Sequence, residues 1–300
     1  MIRRVTERIT AIGPLGNPKV ITIYAINDEE KAIIDAGPAS VSAPLLSGLR
    51  EAGIPPEEIT LIILTHIHID HAGGTWSLID SMPNAKVLVP YRGLKYLVDP
   101  TRLLQSAVPI LGDLLNLWGP VKPVPSERVE PLQFNQKIDL GETQLTCLPA
   151  VGHAPHQMIF LDEANGVFAA DALGIYHEKC GKFTPTSPPP AFDYPQAIRD
   201  IQMIRELEPD RVLLPHYSSL EASPSLFEEI EGVYVRWHDI IEAEGRTDDV
   251  SMVSEDVLEE FPLYRDCIEP AVLRQVMRLD VGGMLDYFKR MNQQAKPAAK

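Results

Sequence analysis

Residues Ile59-Thr60-Leu61-Ile62-Ile63-Leu64 form a short, mostly β-branched apolar run, and its length predicts a strand covered on both faces, as inside a layered α/β sheet. Upstream, residues 20–26 and 31–35 read as neighbouring strands joined by a turn at Asn27-Asp28. Asp35-Ala36-Gly37-Pro38 closes the second of these, and 45–50 reads as the helix that follows. A second α/β half extends from about residue 142 to residue 216. Beyond it the rhythm changes, and 224–244, 254–261 and 270–291 read as helices, with Ser254 ahead of Glu255-Asp256 as a capped start. The division expected is therefore a first domain over 1–220, a helical C-terminal extension over 221–294, and a disordered tail over 295–300.

Two segments stand apart from that rhythm. Between the halves, an insertion at about 98–125 contains Leu103 to Trp118, apolar at mixed spacing and broken by Pro109 and Gly112. It reads either as a helical hairpin packed on the core or as a hydrophobic wall beside a substrate, since ligand sites are mostly apolar with a few placed polar groups. Thr184-Pro185-Thr186-Ser187-Pro188-Pro189-Pro190 is a loop, because proline fixes φ and removes donors. Loops held by a rigid scaffold are where specificity tends to sit.

Composition narrows the classes. With 45% hydrophobic residues, 300 residues suffice for a sizeable core. Lys and Arg number 27 against 42 Asp and Glu, a net charge of −15, which argues against a nucleic-acid partner because phosphate backbones are bound by basic patches. No run approaches the roughly 20 apolar residues of a membrane span, so no membrane partner is expected and the cytoplasm is the default location. Cys147, Cys180 and Cys267 are odd in number and scattered, which suits a reducing compartment and predicts no disulfide framework. The partner expected is a small molecule, and a homodimer stays open.

The chemistry concentrates directly after the buried run. Thr65-His66-Ile67-His68-Ile69-Asp70-His71-Ala72-Gly73-Gly74 sets three imidazoles and a carboxylate within six residues. Burying four such groups without a common cation leaves each to be satisfied separately, so the cluster reads as a metal site. His66 and His68, two apart on extended backbone, aim to the same side. Isolated histidines such as His177 and His238 read instead as ordinary hydrogen-bonded residues.

This motif resembles the His-x-His-x-Asp-His signature of the metallo-β-lactamase superfamily. Gly152-His153, Asp171 at the end of the apolar run 166–170, and His216 after 211–215 continue the family's order. The resemblance implies a four-layer αββα sandwich over the first domain. It also implies that His66, His68 and His153 hold one metal and Asp70, His71 and His216 a second, with Asp171 shared. Asp35 would be the strand-end aspartate near the metals, supporting backbone. Two such cations lower the pKa of a bridging water while one polarises a carbonyl, and Asp70 helps orient the nucleophile. The nitrogen and oxygen donor set suits zinc first, with iron and manganese also compatible.

Within the superfamily the motif looks most like glyoxalase II, which implies a hydroxyacylglutathione hydrolase-like esterase or thioesterase with a helical C-terminal appendage. Lys182 in Cys180-Gly181-Lys182-Phe183 matches that family's glutathione-binding segment, although Thr184 stands where a tyrosine is expected. Lactonases of the superfamily place a substrate-binding tyrosine beyond the shared aspartate, which points to Tyr176. A persulfide dioxygenase with a single iron on His66, His153 and Asp171, and a non-catalytic metabolite-binding regulator, are the other readings. His156, three residues after His153, is left between support of the metal site and loop surface.

Overall fold

The computed structural model describes residues 2–164, 166–217, 219–244 and 249–295. These residues group into two compact units, one of 1–149, 156–170 and 208–222, the other of 150–155, 171–207 and 223–300. The segment expected as an appendage therefore shares its unit with two stretches drawn from the middle of the chain.

In the first unit, seven strands pair in chain order: β1 (Ile2–Arg4), β2 (Ile9–Leu15), β3 (Ile21–Ile26), β4 (Lys31–Ile34), β5 (Ile59–Ile63), β6 (Lys86–Pro90) and β7 (Val129–Leu132). β1 to β4 are antiparallel neighbours, whereas β4 to β7 are parallel. A parallel pair needs a crossover, and helix α1 (Ser42–Glu51) carries the chain from β4 to β5. Every residue of β3 is buried, and alternate side chains go to opposite faces. Ile21, Ile23 and Ala25 join Leu45, Leu49, Ile59 and Ile62 on the helix side, while Tyr24 and Ile26 join Ile63, Cys147, Phe160 and Phe168 on the other.

That other face meets a second sheet. It is built from β8 (Lys137–Asp139), β9 (Gln144–Pro149), β10 (Met158–Asp162), β11 (Gly166–Phe168), β14 (Arg211–Leu213) and β15 (Ser219–Glu221), and only its β11–β14 pairing is parallel. The double-sided burial expected for the 59–64 run follows directly: β5 is an inner strand with helices on one side and a sheet on the other. In sheets of this kind ligands gather outside the carboxyl ends of parallel strands. Short helices α2 (Ile69–Ala72) and α3 (Thr75–Leu78) follow that end of β5.

The insertion forms α4 (Leu94–Val98), α5 (Thr101–Leu111) and α6 (Leu114–Trp118). Gly112 has φ +54, which lets the chain leave α5 after Pro109. Ala107 is the only buried residue of α5, α6 has none, and Val108 and Leu117 are at least half exposed. Leu103 packs on the core, while most of the hairpin stays at the surface.

The second unit holds a hairpin of β12 (Ile175–His177) and β13 (Lys182–Thr184), then α7 (Tyr194–Glu206), α8 (Pro224–Ala243), α9 (Val250–Glu260), α10 (Leu263–Cys267), α11 (Pro270–Val276) and α12 (Gly282–Ala295). Two sequence expectations are corrected here. Asp249, not Ser254, caps α9, because its carboxylate accepts from the Ser251 and Met252 N–H groups, while Ser254 lies inside the helix and bonds back to Val250 O. The helix expected over 270–291 is broken by a π-turn at Met277–Val281.

A third correction is chemical. Cys180 and Cys267 form a disulfide, which the scattered spacing did not suggest. The turn of the β12–β13 hairpin and the end of α10 bring together sulfurs that stand 87 residues apart. Cys147 stays free and buried. Of the tail expected over 295–300, Ala295 ends α12 and the rest lies outside the described residues. No helix among the described residues is long and apolar enough to cross a membrane.

Candidate metal centre

The first unit holds five of the seven expected ligands, His66 and His68 after β5, Asp70 and His71 in α2, and His216 after β14. His66 Nε2 and His68 Nδ1 stand 3.0 Å apart, as the two-residue spacing on extended backbone requires. Asp70, His71 and His216 form a second group whose ligand atoms lie within 4.8 Å of one another. His71 Nε2 is 3.7 Å from Asp70 Oδ2, and His216 Nε2 is 3.9 Å from the same oxygen. His216 follows β14 and forms an isolated antiparallel bridge with Ile21, so the second sheet delivers its ring to the end of the first.

Asp35 does more than support backbone. Its φ is +64, a left-handed conformation that aspartate tolerates better than most residues. Oδ1 accepts the Thr65 N–H at 2.8 Å, the Thr65 hydroxyl donates to the same carboxylate, and Oδ2 accepts from His71 Nδ1 at 2.9 Å. An ionised carboxylate only accepts, so the proton of His71 sits on Nδ1 and the Nε2 lone pair is the one presented toward Asp70. Thr65 extends the logic: its hydroxyl hydrogen is given to Asp35, so its oxygen accepts from His66 Nδ1 at 3.0 Å. One buried aspartate thereby sets two rings. No pattern in the sequence marked Thr65 for this role.

Gly74 has an ordinary negative φ, and its need is space: a Cβ there would stand 2.8 Å from Gly37 O, where Gly74 N–H donates to that same oxygen. His156, left open by its position, stacks on His66 at 6.1 Å between ring centres and meets His68 edge-on at 5.3 Å. On the helix side, Ile67, Ala72 and Gly73 of the histidine loop line an apolar cleft with Tyr96, Leu97 and Leu103, so the base of the insertion borders that loop.

The second unit holds the other two ligands side by side, His153 Nε2 lying 3.3 Å from Asp171 Oδ2. His153 Nδ1 faces the Thr186 carbonyl at 3.2 Å, which again puts the proton on Nδ1. The preceding Gly152 presses on α7, where a Cβ would meet Ala197 N at 2.3 Å, and its N–H donates to buried Asp200 at 2.7 Å. Burial pushes the Asp200 carboxyl up to about 6, against the bonds from Gln196 and Gly152.

Tyr176 and Lys182 both belong to the β12–β13 hairpin. Tyr176 is half-buried and packs on Phe183 at 5.0 Å between ring centres. Lys182 Nζ donates to Glu229 Oε1 of α8 at 3.0 Å, with its side chain 45% exposed. His177 bonds across the hairpin to the Thr184 hydroxyl, and His238 stacks on Tyr194, the ordinary roles expected for isolated histidines.

The metallo-β-lactamase fold-containing protein ST1585 of Sulfurisphaera tokodaii is 32% identical over 222 residues, 72% of this chain and 79% of its own. The solved structure of archaeal ST1585 has a TM-score of 0.68 at 24% identity, covering 93% of this chain and 98% of that one. The metallo-β-lactamase family protein TTHA1429 from Thermus thermophilus has a TM-score of 0.71 at 18% identity, covering 96% and 95%. A hydroxyacylglutathione hydrolase from Aliivibrio salmonicida is 35% identical, but over 77 residues, 26% of this chain and 28% of its own length. The fold is the mixed α/β metallo-β-lactamase fold with added C-terminal helices, and the family model for the metallo-β-lactamase superfamily matches residues 16–216. Carrying the histidine and aspartate signature in the family's order along that match, the chain belongs to the metallo-β-lactamase superfamily.

Proposed function

We propose that the protein is a binuclear metal-dependent hydrolase of a small acyl ester or thioester. His66, His68 and His153 would hold one divalent ion, Asp70, His71 and His216 the other, and Asp171 both. The observation that carries this reading is the Asp35–His71 pair beside Asp70 and His216: a buried carboxylate fixes one imidazole tautomer and directs the other nitrogen to a group of ligand-type atoms.

The residues fit the group. All donors are imidazole nitrogen or carboxylate oxygen, a set that suits zinc first and also iron or manganese. His66 Nε2 and His68 Nδ1, 3.0 Å apart, are near the roughly 3.3 Å that two nitrogens keep when they share a tetrahedral zinc. When bound, two such ions supply hydroxide near neutral pH and polarise the scissile carbonyl. The chain supplies the rest. Asp35, Thr65 and Thr186 hold protons on the Nδ1 atoms of His71, His66 and His153. Asp70 and Asp171 bring the negative charge that offsets the cations, and Asp70 is the residue assigned to orient the nucleophile. Tyr176 is the candidate donor to the substrate carbonyl and Lys182 the candidate for an anionic substrate group. The match to a hydroxyacylglutathione hydrolase over 77 residues supports a thioester as first choice among substrates.

The test is a panel of acyl thioesters, esters and lactones presented to the zinc-loaded full chain, with oxygen uptake monitored. Hydrolysis without oxygen consumption is expected. Oxygen uptake with glutathione persulfide would favour the single-iron dioxygenase, and tight metabolite binding without turnover would favour the regulator.

A further inference from the structure

We propose that Thr186 is a positioning residue for the metal ligands His153 and Asp171, and that Tyr234 of the C-terminal helix α8 locks it in place. The inference rests on the ligand roles proposed above and adds a device that holds those ligands. Thr186 makes three directed contacts at once. Its carbonyl accepts from His153 Nδ1, its hydroxyl donates to the Asp171 carbonyl, and its N–H donates to the Tyr234 hydroxyl at 3.1 Å. The Thr186 hydroxyl hydrogen is already given to Asp171, so the Tyr234 O–H donates to Thr186 Oγ1 at 3.2 Å. The two residues thus close a small ring of bonds, and Thr186, Tyr234, His153 and Asp171 are all buried.

The next residue repeats the anchoring. Ser187 donates its N–H to Asp280 Oδ1 at 2.5 Å and its hydroxyl to Asp280 O at 2.9 Å. Gly283 at the start of α12 lies so close that a Cβ would stand 1.7 Å from Ser187 O. The proline-rich loop is therefore held by the helices that follow it at two successive residues.

The bonds act on the features a metal ligand must have fixed. A carbonyl acceptor at Nδ1 selects the tautomer whose Nε2 carries a lone pair, and that atom faces Asp171 Oδ2. The chain enters Asp171 through Ala170, whose φ of +46 is a left-handed conformation that residues other than glycine adopt only at a cost. A bond to the Asp171 carbonyl at the next step keeps the carboxylate where that turn puts it. The C-terminal helices, on this reading, determine metal affinity without supplying a ligand.

The experiment compares Tyr234→Phe, Thr186→Val and Thr186→Ser in the full chain. Zn2+ affinity is read by competition with a chromophoric chelator, the Co2+ absorption spectrum reports coordination, and thermal unfolding reports the fold. Loss of support behind a ligating histidine typically lowers metal affinity about 10–100-fold. Tyr234→Phe and Thr186→Val should show a loss of that size for at least one of the two ions, with an altered Co2+ spectrum. Thr186→Ser, which keeps the hydroxyl, should bind as wild type does. Should Thr186→Val fail to fold, Tyr234→Phe decides, because it keeps the ring and removes only the oxygen. Wild-type zinc affinity in folded Tyr234→Phe overturns the proposal. His153→Ala separates the two levels: if it too binds both ions normally, the ligand assignment itself is wrong, whereas a loss in His153→Ala alone refutes only the positioning role.

Discussion

Replacing Asp35 by asparagine isolates electrostatic and tautomeric control from packing. The side chain is 3% exposed, the amide has the same size, and asparagine tolerates the φ of +64 as well as aspartate does. Thr65 N–H still needs an acceptor at the Oδ1 position, so the new NH2 group falls opposite His71 Nδ1, which now donates to Oδ2 at 2.9 Å. Two donors then face each other. The ring escapes by moving its proton to Nε2, and a protonated Nε2 cannot ligate. The reverse amide orientation relieves His71 only by leaving the buried Thr65 N–H opposed to a donor. Removing such support typically costs about 10–100-fold in metal affinity, roughly 1.4–2.7 kcal/mol. Losing a bond to a charged acceptor costs a further 1.5–3 kcal/mol or so of folding stability. Competitive zinc titration of Asp35→Asn, with thermal unfolding in parallel, measures both. A folded variant whose two zinc affinities lie within about twofold of wild type, far short of the roughly 10–100-fold loss expected when a ligating histidine loses its hydrogen-bond acceptor, would refute the tautomer argument.

Other outcomes follow from the same geometry. His71→Ala and Asp171→Ala should each abolish turnover and lower bound metal while leaving the circular dichroism spectrum of a folded chain; full activity in either contradicts its assignment as a ligand. The Cys180–Cys267 bridge closes a loop of 87 residues, for which chain entropy gives up to about 4.6 kcal/mol of stabilisation. Cys180→Ser, or a reductant, should therefore lower the unfolding temperature, and an unchanged midpoint would show that the bridge contributes little. Asp200 is an acid whose folded value, about 6, lies above its ordinary 3.8, so it stabilises the fold fully below pH 3.8 and loses that contribution as pH rises through about 6. Asp200→Asn should remove this slope, gaining relative to wild type across the window by up to about 3 kcal/mol; parallel stability curves for the two proteins would count against it.

The candidate metal cluster was legible because its residues are local: one buried strand, β5, carries the chain straight into His66, His68, Asp70 and His71. His153, Asp171 and His216 were legible through their order along the family signature, not through any local pattern. What supports them was hidden for the opposite reason. Asp35 reaches His71 across 36 positions and Tyr234 reaches Thr186 across 48, contacts that appear only after the fold has formed. The disulfide was missed because counting cysteines cannot reveal that a hairpin turn meets α10. Ser254 looked like a cap because its own residue type suits one, yet Asp249 reached the free N–H groups first. The insertion's apolar content suggested packing, whereas α5 and α6 keep most of it at the surface.

The central claim is that seven side chains hold a pair of divalent ions. Elemental analysis of the folded full chain, reconstituted with Zn2+ and freed of excess metal, tests it most directly. Two ions per chain, falling in His71→Ala, is the predicted result; a ratio of one or below in the reconstituted wild type would contradict it.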